Sequence, residues 1–183
     1  MRLWRVLPWD PSAPVGQPGH ALWVPREYQG NGRHDAPDLY GCLYLAEVAV
    51  SAVAEMLAPF RGTGDLHPEL LVRSGRQLAL AELQLAEDAT LVDLDDPAVL
   101  VTESLRPSVV ATGQRSVTQA YALSQFERHS EAAGLRWWST LESSWIQVTL
   151  FDRALDELSV RSVRTLAIDD DAVTAAASYL GLA

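Results

Sequence analysis

The side chains best suited to chemistry gather in one stretch, Gly32 to Glu55, which reads GRHDAPDLYGCLYLAEVAVSAVAE. Arg33, His34, Asp35 and Asp38 stand in a loop broken by Gly30, Gly32 and Pro37. Tyr44 lies in the apolar run that follows, and Glu55 in the segment after it. Polar groups thus come before the run, and another follows it. That order suggests a ligand site at a strand end, with Arg33 and Glu55 facing a shared cleft. Two further candidates lie outside the stretch: Arg5 near the start, and Ser139 among Trp137, Trp138 and Trp145.

The elements that must position these groups follow from spacing. Glycine and proline interrupt any regular period until Leu43-Tyr44-Leu45 runs as a buried strand. Val50, Val53, Ala54 and Leu57 then recur as one apolar helical stripe, and Pro59 cannot continue a helix. At roughly 100° per residue Glu55 projects away from Val50, on the side of Val48 and Ser51. On spacing alone a solvated surface glutamate is the plainer reading. Arg2 to Leu7 alternates as a strand with Leu3, Arg5 and Leu7 on one face. An arginine among inward-facing leucines needs an anion, either a protein carboxylate or a ligand phosphate. Tyr44 and the tryptophans around Ser139 are each suited to filling a core or to walling a planar ring.

Residues 8 to 42 read as a long loop rich in proline and glycine. Beyond the helix, strands are expected at Leu78 to Leu85, Thr90 to Leu94, Leu135 to Ser139, Trp145 to Phe151 and Val160 to Ile168. Asp95-Asp96-Pro97 opens one helix, and Asp169-Asp170-Asp171 caps a final alanine-rich one. A longer helix is expected from Ser116 to Ala133, with Val117, Ala120, Tyr121 and Ser124 toward the core. Gln119, Gln125, Glu127 and Arg128 would then be in solvent, and Gly134 would be the C-cap. No repeat or linker cuts the chain.

Composition narrows the partners. A chain of 183 residues, 48% hydrophobic, fills one sizeable core. All 14 basic residues are arginine, against 24 acids, for a net charge of −10. That balance opposes nucleic acid and anionic membranes, while a local arginine cluster can still hold a small anion. The absence of lysine excludes Schiff-base chemistry and a P-loop. No apolar run approaches the roughly 20 residues that span a bilayer, and the MRLWR start is interrupted too early for a signal peptide, so a cytoplasmic location is expected. Cys42, the single cysteine, reads as a buried, inert thiol. The four histidines show no paired ligand spacing. The best metal set, His34 with Asp35 and Asp38, reads better as turn formers, so no metal is expected. Ser139 has no adjacent base and no Gly-x-Ser-x-Gly elbow occurs, which leaves a serine hydrolase unsupported.

Taken in order, Arg33, Tyr44 in LYLAE, Glu55 in AVAE and Ser139 in GLRWWS resemble the pattern of the RES-domain family, named for its arginine, glutamate and serine. The resemblance runs from the RLWRV opening to the IQVTLF strand. It departs where many relatives carry Trp-Asn after the loop arginine and this chain has His34-Asp35. Such relatives are NAD-consuming toxins with a fold similar to ADP-ribosyltransferases, usually encoded beside an Xre-type antitoxin that occupies the cleft. The resemblance implies an α+β fold: a single RES-like domain over 1–183 with a split, mostly antiparallel sheet flanked by helices. The motifs would occupy about 1–152, completed by a strand and helix at 158–181. NAD would be a substrate rather than a cofactor, and cleavage of its nicotinamide–ribose bond by phosphorolysis is the leading expectation. Hydrolysis and transfer to a protein are the alternatives, as is an inactive module working through a partner. Glu55 would stabilise the ribose oxocarbenium, and Arg33 and Arg5 would hold the pyrophosphate. Tyr44 would stack on the nicotinamide side, and Ser139 would hydrogen-bond the ligand or brace Glu55. An antitoxin partner is implied, and a homodimer is compatible with this reading.

Overall fold

A computed structural model describes residues 1–182, which form two compact units. The first combines Met1–Trp23, Ala46–Leu85 and the chain from Ser159 onward; the second combines Val24–Leu45 and Ala86–Leu158. Together they make a mixed α/β fold with a largely antiparallel sheet flanked by helices. No helix among the described residues is long and apolar enough to cross a membrane.

In the first unit, β1 (Arg2–Pro8) pairs antiparallel with β4 (Arg76–Leu85) along its whole length, from Arg2 opposite Gln84 to Pro8 opposite Leu78. Its other edge meets Ala46 at Trp4. The short β3 (Val72–Arg73) joins β4 through Ser74 and Gly75, both at positive φ (52° and 73°), as a two-residue hairpin of matching twist requires. The late strand β8 (Leu158–Thr165) also pairs with β4. Helix α1 (Ala49–Leu57) packs on β1 and on the last helix, α5 (Asp171–Leu180). It buries Ser51, Val53, Ala54 and Leu57, so the core face takes Ser51 where the apolar stripe had Val50. The α5 face is mostly alanine, and small residues let two helices approach closely. Asp170 caps α5 by accepting the Ala172 N–H at 2.9 Å, and Gly181 ends it at φ 70°.

In the second unit, the strand order is β2 (Cys42–Ala46), β7 (Ile146–Phe151), β6 (Gly134–Trp138) and β5 (Leu91–Asp93). The β6–β7 pair is antiparallel and β5–β6 parallel. Three helices follow β5: α2 (Pro97–Thr102), capped by Asp96 on the Ala98 N–H, α3 (Pro107–Val110) and α4 (Arg115–Arg128). The core gathers Tyr40, Cys42, Tyr121, Leu135, Trp137 and Phe151.

Helix α4 departs from expectation twice. It buries Thr118, Tyr121, Ala122 and Gln125, a face turned from the one its apolar residues indicated, so Gln125 is not in solvent. Tyr121 is common to both faces, and its hydroxyl meets His34 Nε2 at 2.7 Å. The helix also stops at Arg128, five residues early. Arg153 supplies the ending: its guanidinium donates to the carbonyls of Phe126, His129 and Ala132 at 2.7–3.2 Å, meeting carbonyls that helix geometry leaves open. Gly134 is not a C-cap. It sits in β6 opposite Leu150, where a Cβ would run into the Thr149 carbonyl and the Leu150 backbone.

Candidate active site

The loop before β2 carries its chemistry inward. Arg33, His34 and Asp35 are all buried, at 7%, 0% and 5% exposure. A buried loop must find partners for its backbone and charges, and these residues find them within the second unit. The Asp35 carboxylate accepts from the N–H groups of Gly30 (2.8 Å) and Gly32 (2.6 Å) with Oδ2, and from the Tyr44 hydroxyl (2.6 Å) with Oδ1. From α4, the Gln119 amide donates to the Gly30 and Gly32 carbonyls at 3.0 and 2.9 Å. Gly32 admits no side chain, because a Cβ would strike the Asp35 carboxylate and the Tyr44 hydroxyl.

Arg33 Nη1 donates to the carbonyls of Val110 (3.0 Å) and Thr112 (2.7 Å), at the end of α3 and just after it. Its Cζ lies 5.0 Å from the Trp137 ring centroid, a cation–π distance. The guanidinium is therefore held by two carbonyls and one ring face. Trp137 is 6% exposed and also meets the His34 ring edge-on at 5.0 Å, so it is both core and site wall.

The His34 ring is the most enclosed group of the site. Nδ1 lies 2.8 Å from Thr149 Oγ1, and Nε2 lies 2.7 Å from the Tyr121 hydroxyl. Thr149 Oγ1 also accepts from the Trp137 indole at 3.1 Å. Burial drives the His34 pKa well below its usual value, and the charges of Arg33 and Arg115 push the same way, so the imidazole is neutral. Burial likewise raises the Tyr40, Tyr44, Tyr121 and Cys42 pKa values. Cys42 is 1% exposed, and its thiol is the inert one expected.

Ser139 follows β6. Its N–H donates to the Trp145 carbonyl at 2.7 Å, and its Oγ accepts the Leu141 N–H at 3.0 Å, which fixes the turn. It is 1% exposed. Arg33, Tyr44 and Ser139 thus belong to the second unit, with Arg33 and Tyr44 joined through Asp35 and His34.

Arg5 and Glu55 belong to the first unit. Arg5 as a whole residue is half-buried, yet its guanidinium is desolvated enough to lower its pKa to about 10. Its Nη1 donates to the Ala21 carbonyl at 2.5 Å, and among the described residues no carboxylate lies within ion-pair reach. Glu55 is exposed on α1, one turn after the buried Ser51. In the sequence His34 and Asp35 read as turn formers, Tyr121 as core and Gln119 as solvated, and Thr149 is not singled out; the structure brings all five together around the Arg33 loop. The one available signal was an imidazole and a carboxylate following an arginine in a loop with two tyrosines close behind.

The solved M. tuberculosis MbcT–MbcA toxin–antitoxin complex contains a chain with the same fold. The TM-score is 0.64 at 17% identity, covering 99% of this chain and 87% of that one. No curated protein matches the sequence. The model of the RES domain matches residues 2–171, nearly the whole chain; the chain belongs to the RES domain family.

Proposed function

We propose that this protein is an NAD-degrading toxin, a single RES-like domain of ADP-ribosyltransferase-like fold that works in the cytoplasm and is restrained by an Xre-type antitoxin. The observation that carries the reading is the RES match over residues 2–171. The fold shared with a chain of the MbcT–MbcA toxin–antitoxin complex supports the partner.

The chemistry suits the residues. Nicotinamide departs from an already cationic ring, so the C–N electron pair leaves with it and no strong acid is needed. The barrier lies in the oxocarbenium-like ribose, which a carboxylate stabilises. Glu55 takes that role. Arg33 and Arg5 hold the pyrophosphate through forked, charge-assisted hydrogen bonds. Arg5 is supported by a desolvated guanidinium with a carbonyl rather than an acid as its protein partner. Tyr44 stacks on the nicotinamide side, and Ser139 hydrogen-bonds the ligand. A phosphate oxygen then forms the bond to the ribose carbon, giving ADP-ribose-1″-phosphate and nicotinamide.

Incubation with NAD, with phosphate and in a non-nucleophilic buffer, tests this. Phosphate-stimulated NAD loss with ADP-ribose-1″-phosphate as product supports phosphorolysis. Free ADP-ribose means hydrolysis, and labelled protein means transfer. No NAD loss at any concentration would leave a RES-like binding module.

A further inference from the structure

Each polar atom of His34 is met by a different hydroxyl. Its N–H donates to Tyr44 at 2.9 Å, its carbonyl accepts from Tyr40 at 2.9 Å, and its ring nitrogens meet Thr149 at 2.8 Å and Tyr121 at 2.7 Å. These hydroxyls come from the loop before β2, from β2 itself, from β7 and from α4. Freeing either ring nitrogen would leave a buried polar atom unpaired, so the ring has one good position. The peptide that carries the ring also carries Arg33 on one side and Asp35 on the other. With Gly30 and Gly32 tied to Asp35 and Gln119, little slack remains elsewhere in the loop.

We propose that His34 is a positioning residue: through the shared peptide and the shared Tyr44 hydroxyl, it sets the Arg33 guanidinium and the Tyr44 ring in the orientation a ligand meets. The Tyr44 hydroxyl accepts from His34 and donates to Asp35, so the ring face is what Tyr44 offers a ligand. This deepens the NAD reading and rests on it for the identity of the ligand, not for the clamp.

Tyr121→Phe is the cleanest probe, since it removes one hydroxyl from the imidazole and keeps the aromatic ring in the core. In ligand-free protein, hydrogen exchange of the Gly30 to Asp35 amides should accelerate about 10-fold, the scale of one buried hydrogen bond. The NAD dissociation constant should rise by about the same factor, the pattern of lost ligand positioning. In an Arg33→Ala background the same substitution should cost less NAD affinity than in the parent, because one of the two residues it acts through is gone. His34→Gln, whose amide reaches toward the Nε2 position, should regain affinity lost in His34→Leu. Unchanged loop exchange in Tyr121→Phe would overturn the proposal, as would an equal loss of affinity in both backgrounds. If the parent binds no NAD, the functional reading fails, and loop exchange still decides whether His34 sets the loop.

Discussion

The His34 Nε2 and the Tyr121 hydroxyl stand 2.7 Å apart, with His34 fully buried and Tyr121 6% exposed. Around the imidazole lie Arg33 and Asp35 on its own loop, Tyr44 and Cys42 on β2, Tyr40 before it, and Tyr121 and Arg115 on α4. The folded protein thus resists a proton that the unfolded chain accepts near pH 6.5. Because the folded pKa is depressed, this contribution to stability is complete above about pH 6.5 and is lost as pH falls below it, at up to about 1.4 kcal/mol per pH unit. Denaturant unfolding from pH 7.5 to 4.5 should show a shallower acid slope for His34→Gln than for the parent. Parallel slopes would mean that His34 titrates normally.

Arg33→Lys keeps a positive charge but not a planar fork. An ammonium cannot serve both the Val110 and Thr112 carbonyls and still lie flat over Trp137. The variant should lose about 1–3 kcal/mol of stability for the carbonyl left bare and bind NAD more weakly. Parental NAD affinity by calorimetry would remove Arg33 from the pyrophosphate.

Glu55→Gln changes an exposed side chain on α1, so stability should stay within about 0.5 kcal/mol. Turnover should fall about 100-fold with NAD binding largely retained, since the charge acts as the glycosidic bond breaks. A folded variant with parental turnover would sink the mechanism, and Glu47 would be the next carboxylate to test.

Gly134→Ala places a methyl against the Thr149 carbonyl and Leu150 backbone, neither of which is a flexible side-chain end. Overpacking in a core costs typically about 1–3 kcal/mol, and here the strand pair itself must shift. A clear drop in melting temperature is expected. A variant as stable as the parent would contradict the β6–β7 register.

What the sequence disclosed were features set locally. Strands β1, β2, β4, β6 and β7 are short apolar runs whose burial shows in composition, and the caps Asp96 and Asp170 are chemically marked. The exposure of Glu55 follows from helix phase alone. Hidden were features set by distant partners. The two-residue β3 exists only because Ser74 and Gly75 fold it onto β4, and α4 ends where Arg153, 25 positions later in the numbering than Arg128, reaches its carbonyls. The burial of Gln125 and the hydroxyls around His34 belong to this class, because polar groups brought together from separate segments leave no periodic trace. Arg5 shows both sides: its inward face was legible, but its backbone partner Ala21 lies in an irregular loop.

The order in which the chain is threaded through the two units has a consequence for synthesis. The second unit has all its residues once Leu158 has been made, whereas the first still awaits most of β8 and all of α5. Helix α1, which bears Glu55, packs on α5. On a ribosome the glutamate helix therefore lacks one of its packing surfaces until α5, Asp171–Leu180, has been made. A nascent chain carrying residues up to Leu158 would hold a finished Arg33 loop while helix α1 still lacked its α5 partner.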